Sequence, residues 1–190
     1  MSINIKKLTL GGCCAVALSL GFGFSAQAGG PFGFGKLASS ADIAKIDIDV
    51  MPDGRGAPPG SGTYAQGKQV YAIQCAACHG DDMAKPVKGT GAAALRGGRG
   101  TLTSGKPKKT VESYWPYAST LFDYTKRAMP FNSPGSMNDN DIYAVVAYIL
   151  AEGKIISKDT VMNAKTLADV RMPNRDGFIS DPRPDIFNYE

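Results

Sequence analysis

Three stretches of the chain place apolar side chains at the three-to-four-residue spacing of one helix face. The first runs from Thr63 to about Gln74, with Thr63 as its cap and Val70, Tyr71 and Gln74 at helical spacing. Gly67 inside it costs about 1 kcal/mol relative to alanine. A packing reason is therefore expected, a second helix crossing closely at Gly67 with Tyr71 one turn later filling the crossing. That second helix is predicted from Asn138 to Gly153. Asn138 caps it, Asp141 supports the cap and the helix dipole, and Met137 and Ile142 form a hydrophobic staple. Ile142, Val145, Val146, Tyr148, Ile149 and Leu150 make its apolar stripe, and Gly153 stops it. Between the two, Trp115-Pro116 opens a third helix, because proline suits the first helical position and disfavours helix just before it. Leu121, Phe122 and Thr125 face inward, and Asp123 and Arg127 form an i,i+4 pair outside.

Elsewhere the helical pattern is absent. Residues 29–62 are rich in Gly and Pro, with turn signals at Pro52-Asp53-Gly54 and Pro58-Pro59-Gly60. Within them Ile46-Asp47-Ile48-Asp49-Val50 alternates like a short edge strand, or forms a pinned extended arm. Lys88 to Lys109 is read as loop. The pattern predicts an all-α fold of about three core helices over 63–153, an N-terminal arm without a core of its own over 29–62, and a C-terminal extension over 154–190 that wraps the core or contacts a partner.

The segment after the first helix changes the picture from fold to chemistry. Cys75-Ala76-Ala77-Cys78-His79 can hold a haem by three bonds: two thioethers to the vinyl groups, and an imidazole to the iron. The competing reading is a redox or disulfide Cys-x-x-Cys, but His79 is the only histidine of the chain and stands where a proximal ligand must. One covalent haem c is expected. A haem that carries electrons without binding small molecules needs a sixth ligand, and a methionine sulfur favours the ferrous state. Met83 lies too close to His79 in sequence to reach round the porphyrin, and Met137 serves as the staple. Met129-Pro130 follows the third helix, where a loop can cover the distal face, so Met129 is the expected ligand. Met172-Pro173 is its rival, read as a tail methionine on a mobile extension. Leu95, Trp115, Tyr117, Phe122 and Phe131 are candidates to wall the haem, although ordinary core residues would look the same. Trp115 or Tyr117 is a candidate donor to a haem propionate, and Arg99 or Arg127 a candidate ion-pair partner.

Lys6 and Lys7 precede an apolar run, Leu8 to Phe24, and then Ser25-Ala26-Gln27-Ala28. This is a secretory signal peptide over residues 1–28, too short and too interrupted by glycine to favour a retained anchor. Cys13 bears only a faint likeness to a lipoprotein site. Cleavage leaves Cys75 and Cys78 as the mature chain's cysteines and lowers the formal charge from +4 to +2. That excludes a charge-based case for nucleic-acid or membrane-surface binding. With no other apolar segment of spanning length, a soluble periplasmic protein is expected. Charge is nonetheless uneven: residues 84–127 hold nine basic and two acidic residues. They form either ordinary solvated surface or a docking face for an acidic redox partner.

The haem motif, the three helices and the Met-Pro loop resemble a class I cytochrome c. The strings DIDVMPDGRGAPPGSGTYAQG (47–67), GKPKKTVESYWPYASTLFDYTKRAMPFNSPGSM (105–137) and RMPNRDGF (171–178) resemble, more narrowly, the cytochrome subunits of periplasmic sulfite dehydrogenase and the Sox sulfur dehydrogenase. The resemblance implies a cytochrome c-like fold, thioethers at Cys75 and Cys78, and iron ligands His79 and Met129. It also implies electrons taken from a molybdenum-cofactor subunit and passed to another cytochrome. One motif and one histidine place the chain nearer the single-haem sulfite dehydrogenase subunit than the two-haem Sox subunit. On this reading the chain is a non-catalytic electron carrier. The alternatives are a general soluble shuttle, from an alcohol dehydrogenase or to a terminal oxidase, and a catalytic haem enzyme such as a peroxidase or thiosulfate-oxidising cytochrome.

Overall fold

The structure, a computed structural model, describes residue 32 and residues 34–179. The expected signal peptide, with Cys13 and Cys14, lies outside the described residues. The chain separates into two units, residues 1–43 and 44–190. In the first, Phe32, Phe34 and Leu37 are exposed. Helix α1, Ser40–Ile46, was not foreseen and buries none of its residues.

The second unit is built on α5, Asp139–Glu152. Asn138 caps it, its side chain accepting the Asp141 N–H at 3.0 Å, while its amide donates to the Asp141 carboxylate at 2.7 Å. Every residue from Ile142 to Ala151 is buried. The apolar stripe expected from the sequence is therefore corrected to a helix enclosed on all sides, which is what an all-round apolar surface requires. On one side α2, Tyr64–Gln74, crosses it at the expected glycine. A Cβ on Gly67 would overlap the Ala144 carbonyl, and one on Gly62 would overlap the Ala144 backbone. Tyr71 fills the crossing, 2% exposed, its ring 5.4 Å from that of Tyr148. Thr63 and Gln66 form a full capping box at the start of α2. On another side α4, Ala118–Ala128, packs through Phe122, whose ring lies 4.5 Å from Tyr143.

Residues 46–50 do not form a strand. Asp123 and Arg127 form the expected i,i+4 pair and also clamp this arm. Asp123 accepts the Val50 N–H at 3.0 Å, while Arg127 pairs with both Asp123 and Asp49. The arm's alternation satisfies that clamp and buries Val50, with no neighbouring strand to complete a ladder. The two-residue strands present are β1, Ser61–Gly62, and β2, Met162–Asn163, paired antiparallel with Gly62 opposite Met162.

Residues past α5 return to the core. Asn163 caps α6, Ala164–Asp169, accepting N–H groups of Lys165 and Thr166 at 3.0 Å each. Met162, Leu167 and Met172 are all buried. The surface-tail reading of Met172 is thus corrected: its side chain is 2% exposed within the main apolar cluster.

Between His79 and α4 the chain has no helix or strand, yet side chains fix it. Thr110 donates to the Gly97 carbonyl and Ser113 to that of Lys108, each at 2.7 Å. Part of the basic charge is paired with carboxylates of the fold. Arg96 pairs with Glu152, Arg99 with Glu112 and Lys126 with Asp139.

Glu152 also accepts the Tyr64 hydroxyl at 2.7 Å, and that bond, with help from Lys158 and Arg96, lowers its pKa. A carboxylate with a depressed folded pKa contributes stability above its unfolded value near 4.5, and loses it as pH falls through the folded value. Glu152→Gln is expected to cost about 1 kcal/mol at pH 7. Its difference from the parent should shrink as pH falls below 4.5 and through the lowered folded value, read by urea denaturation.

Candidate functional site

The Cys-x-x-Cys-His segment is a single helical turn, α3, Ala76–His79, directly after α2. The Cys75 N–H closes α2 on the Tyr71 carbonyl at 2.9 Å, and the His79 N–H returns to the Cys75 carbonyl at 2.9 Å. This turn brings both cysteines and the histidine together. Gly80 ends it at φ +77, where a Cβ would overlap the Lys85 carbonyl. The Tyr71 hydroxyl donates to the Gly80 carbonyl at 2.7 Å in a buried bond. Tyr71 therefore joins the helix crossing to the residue next to His79. Burial, more than the neighbouring Cys75, raises its pKa, so it stays a donor. Tyr71→Phe should leave that buried carbonyl unpaired and lower stability by about 1–3 kcal/mol, read as a fall in the urea midpoint.

The residues fit a c-type haem. Nδ1 of His79 lies 2.8 Å from the Ala93 carbonyl. A carbonyl only accepts, so the proton sits on Nδ1 and Nε2 presents its lone pair, the tautomer a metal ligand needs. Ala93 is held by a loop whose Leu95 and Arg96 N–H groups both donate to the Met83 carbonyl, at 2.8 and 3.1 Å. Both cysteines are free thiols, Cys75 half-buried and Cys78 exposed. Burial, then the neighbouring Cys78, pushes the Cys75 thiol up to about 11. Before attachment it is a protonated thiol at neutral pH.

Met129 is the C-cap of α4. Its N–H closes the helix on Thr125 at 3.1 Å, and its backbone is extended at φ −124, ψ 148. Pro130 imposes that break, since the residue before proline is pushed out of the helical region. The Met129 side chain is half-buried. Met83 is 1% exposed in the core.

The proposed wall residues scatter. Phe122 is wholly buried against Tyr143 of α5. Leu95 and Trp115 pack at the edge of the core, Trp115 edge-on to Tyr124 at 5.7 Å. Tyr117 is half-buried beneath the Arg175 guanidinium, 5.0 Å from its ring centroid. Phe131 lies on the turn that starts at Pro130 and is 85% exposed. Arg99 and Arg127, the suggested propionate partners, have protein partners: Glu112 and the Gly153 carbonyl hold the first, and Asp123 and Asp49 the second. The sequence reading missed Ala93 and Gly80, which act through backbone carbonyls that no residue type signals.

The profile of the family described as cytochrome c oxidase, cbb3-type, subunit III matches residues 62–149. A thiosulfate dehydrogenase of Stutzerimonas stutzeri is 36% identical over 92 residues, and the chain covers only 28% of that protein's length. The structure also matches a chain of the sulfane dehydrogenase SoxCD from Paracoccus pantotrophus, with a TM-score of 0.72 and 40% identity, covering 83% of this chain and 75% of that one. With that identity running across three quarters of a solved chain, and a cytochrome profile lying over the same helical core and its Cys-x-x-Cys-His turn, this chain belongs to the class I c-type cytochromes, which carry covalent haem c and transfer electrons.

Proposed function

We propose that Cys75 and Cys78 fix one haem c by thioethers, and that His79 Nε2 and the Met129 sulfur are its axial ligands. The protein then accepts electrons in the periplasm from a molybdenum-cofactor sulfite or sulfur dehydrogenase and passes them to a downstream cytochrome. The observation that carries the haem reading is the His79 tautomer, fixed by the Ala93 carbonyl at 2.8 Å beside two free cysteines on one turn. Bound there, the haem would supply a one-electron ferric/ferrous couple, and a methionine ligand would raise its potential. The chain's own residues set the environment. Ala93 keeps the proton on Nδ1, Tyr71 anchors the turn through Gly80, and α4 carries Met129 at its end.

Sulfur oxidation is supported by what the relatives are, a thiosulfate dehydrogenase and the sulfane dehydrogenase SoxCD. Among the described residues no helix is long and apolar enough to cross a membrane. Export rests on the signal-like residues 1–28.

The test is to mix the oxidised protein with purified sulfite dehydrogenase and sulfite and follow haem reduction. Reduction faster than that of an unrelated c-type cytochrome is expected, and an equal or slower rate would sink the sulfite assignment. The thiosulfate dehydrogenase relative favours a second reading, a catalytic haem. Rapid carbon monoxide binding to the reduced protein would support it, and would remove Met129 as a fixed ligand.

A further inference from the structure

We infer that Arg175, delivered by the C-terminal strap 172–178, is a carboxylate-binding residue of the haem site and holds a haem propionate; this rests on the haem reading above. Six arginines fall among the described residues. Five have a carboxylate partner: Arg55 with Asp53, Arg96 with Glu152, Arg99 with Glu112, Arg127 with Asp123 and Asp49, and Arg171 with Asp176. Arg175 alone has none among the described residues, although it is half-buried. A guanidinium withdrawn from water needs its fork satisfied, and a planar carboxylate matches two of its N–H groups at once.

The strap holds Arg175 in place. Met172, 2% exposed, anchors one end, and its carbonyl accepts the Arg175 N–H at 3.1 Å. Asn174 donates to the Tyr114 carbonyl at 2.8 Å, and the Phe178 ring meets that of Tyr114 edge-on at 5.2 Å. Arg175 itself lies over Tyr117, 5.0 Å from the centroid. A cation over a ring face keeps its N–H donors along its edge, open to a ligand. Tyr117 caps α4, the helix that ends at Met129. The strap is thus laid on the start of α4, the end opposite Met129, and brings there a fixed cation with no carboxylate partner among the described residues. The two arginines that the sequence suggested for this role are already paired.

The experiment is spectroelectrochemical titration of the isolated haem-loaded protein from pH 5 to 9, comparing the parent with R175Q, R175K and R171Q. Losing one positive charge beside the haem favours the ferric form. R175Q is expected to shift the ferric-to-ferrous ratio at fixed ambient potential about threefold toward ferric. It should also move the pH-dependent step of the potential upward, because a propionate without its cation ionises later. R175K should recover most of the ratio shift, and it reads the same dependence if R175Q fails to load. R171Q removes the same charge from the residue just before the strap, at an exposed ion pair, and should leave both readings unchanged. Equal shifts in R175Q and R171Q, or no shift in R175Q, overturn the inference while leaving the haem reading intact. An unchanged potential with a salt-dependent loss of reduction rate by an acidic partner also overturns it, by assigning Arg175 to that partner's carboxylate. A parent without covalent haem overturns both.

Discussion

Gly67→Val is expected to leave almost no folded, haem-loaded protein, and Gly67→Ala to unfold at a clearly lower urea concentration than the parent. Large residues forced into a core usually cost about 1–3 kcal/mol, because neighbouring side chains move aside. Here the obstacle is backbone: a Cβ on Gly67 would overlap the Ala144 carbonyl and come within 2.8 Å of the Tyr148 Cβ. Ala144 sits in the fully buried run of α5 and is approached from β1 by Gly62 as well, so α5 cannot shift away without breaking a second contact. Tyr71, one turn along α2, ties the same crossing to Gly80 and the haem turn. The gain of about 1 kcal/mol from replacing glycine by alanine in a helix does not offset that overlap. A domain of ordinary stability has only about 5–15 kcal/mol to lose. Gly105→Ala, at a glycine with nothing within 4 Å, is the neutral control. A Gly67→Ala protein as stable as that control would show that the crossing tolerates a methyl group.

What was legible in the sequence was local. Thr63 and Asn138 cap α2 and α5 where the sequence reading put them, because a cap is decided by a side chain and an N–H three residues away. Gly67 betrayed the crossing because a glycine in a helix interior needs a reason. What was not legible depended on residues far apart. The i,i+4 pair of Asp123 and Arg127 is written in the spacing, but its grip on Asp49 and Val50 spans more than seventy residues. Without that partner the alternation at 46–50 reads as a strand. The stripe on α5 was underestimated for the same reason. Ala144, Ala147 and Ala151 are small enough to be neutral in a pattern, and only the elements packed on them show that they are buried. Cys75, Cys78 and His79 were visible as a motif. The Ala93 carbonyl that sets the histidine tautomer was not, since every residue carries one.

Met129→Ala and Met172→Ala are expected to fail in opposite ways. Both methionines precede a proline, so the local sequence cannot separate them. Met129 is half-buried at the end of α4, where its side chain is free of the core and where a ligand can leave little packing behind when removed. Its replacement should abolish the weak sulfur-to-iron charge-transfer absorption of the ferric protein, lower the reduction potential and let carbon monoxide bind the reduced form, with a small change in the urea midpoint. Met172 is 2% exposed among the core side chains, and truncating it leaves a cavity. That should cost about 2–5 kcal/mol while the absorption persists in the protein that still folds. The contrast separates a bond to iron from a contact in the core, because one variant loses a spectrum and keeps its stability and the other does the reverse. Should Met172→Ala lose the absorption and Met129→Ala keep it, the distal ligand belongs to the C-terminal strap, and the loop after α4 is only a cover.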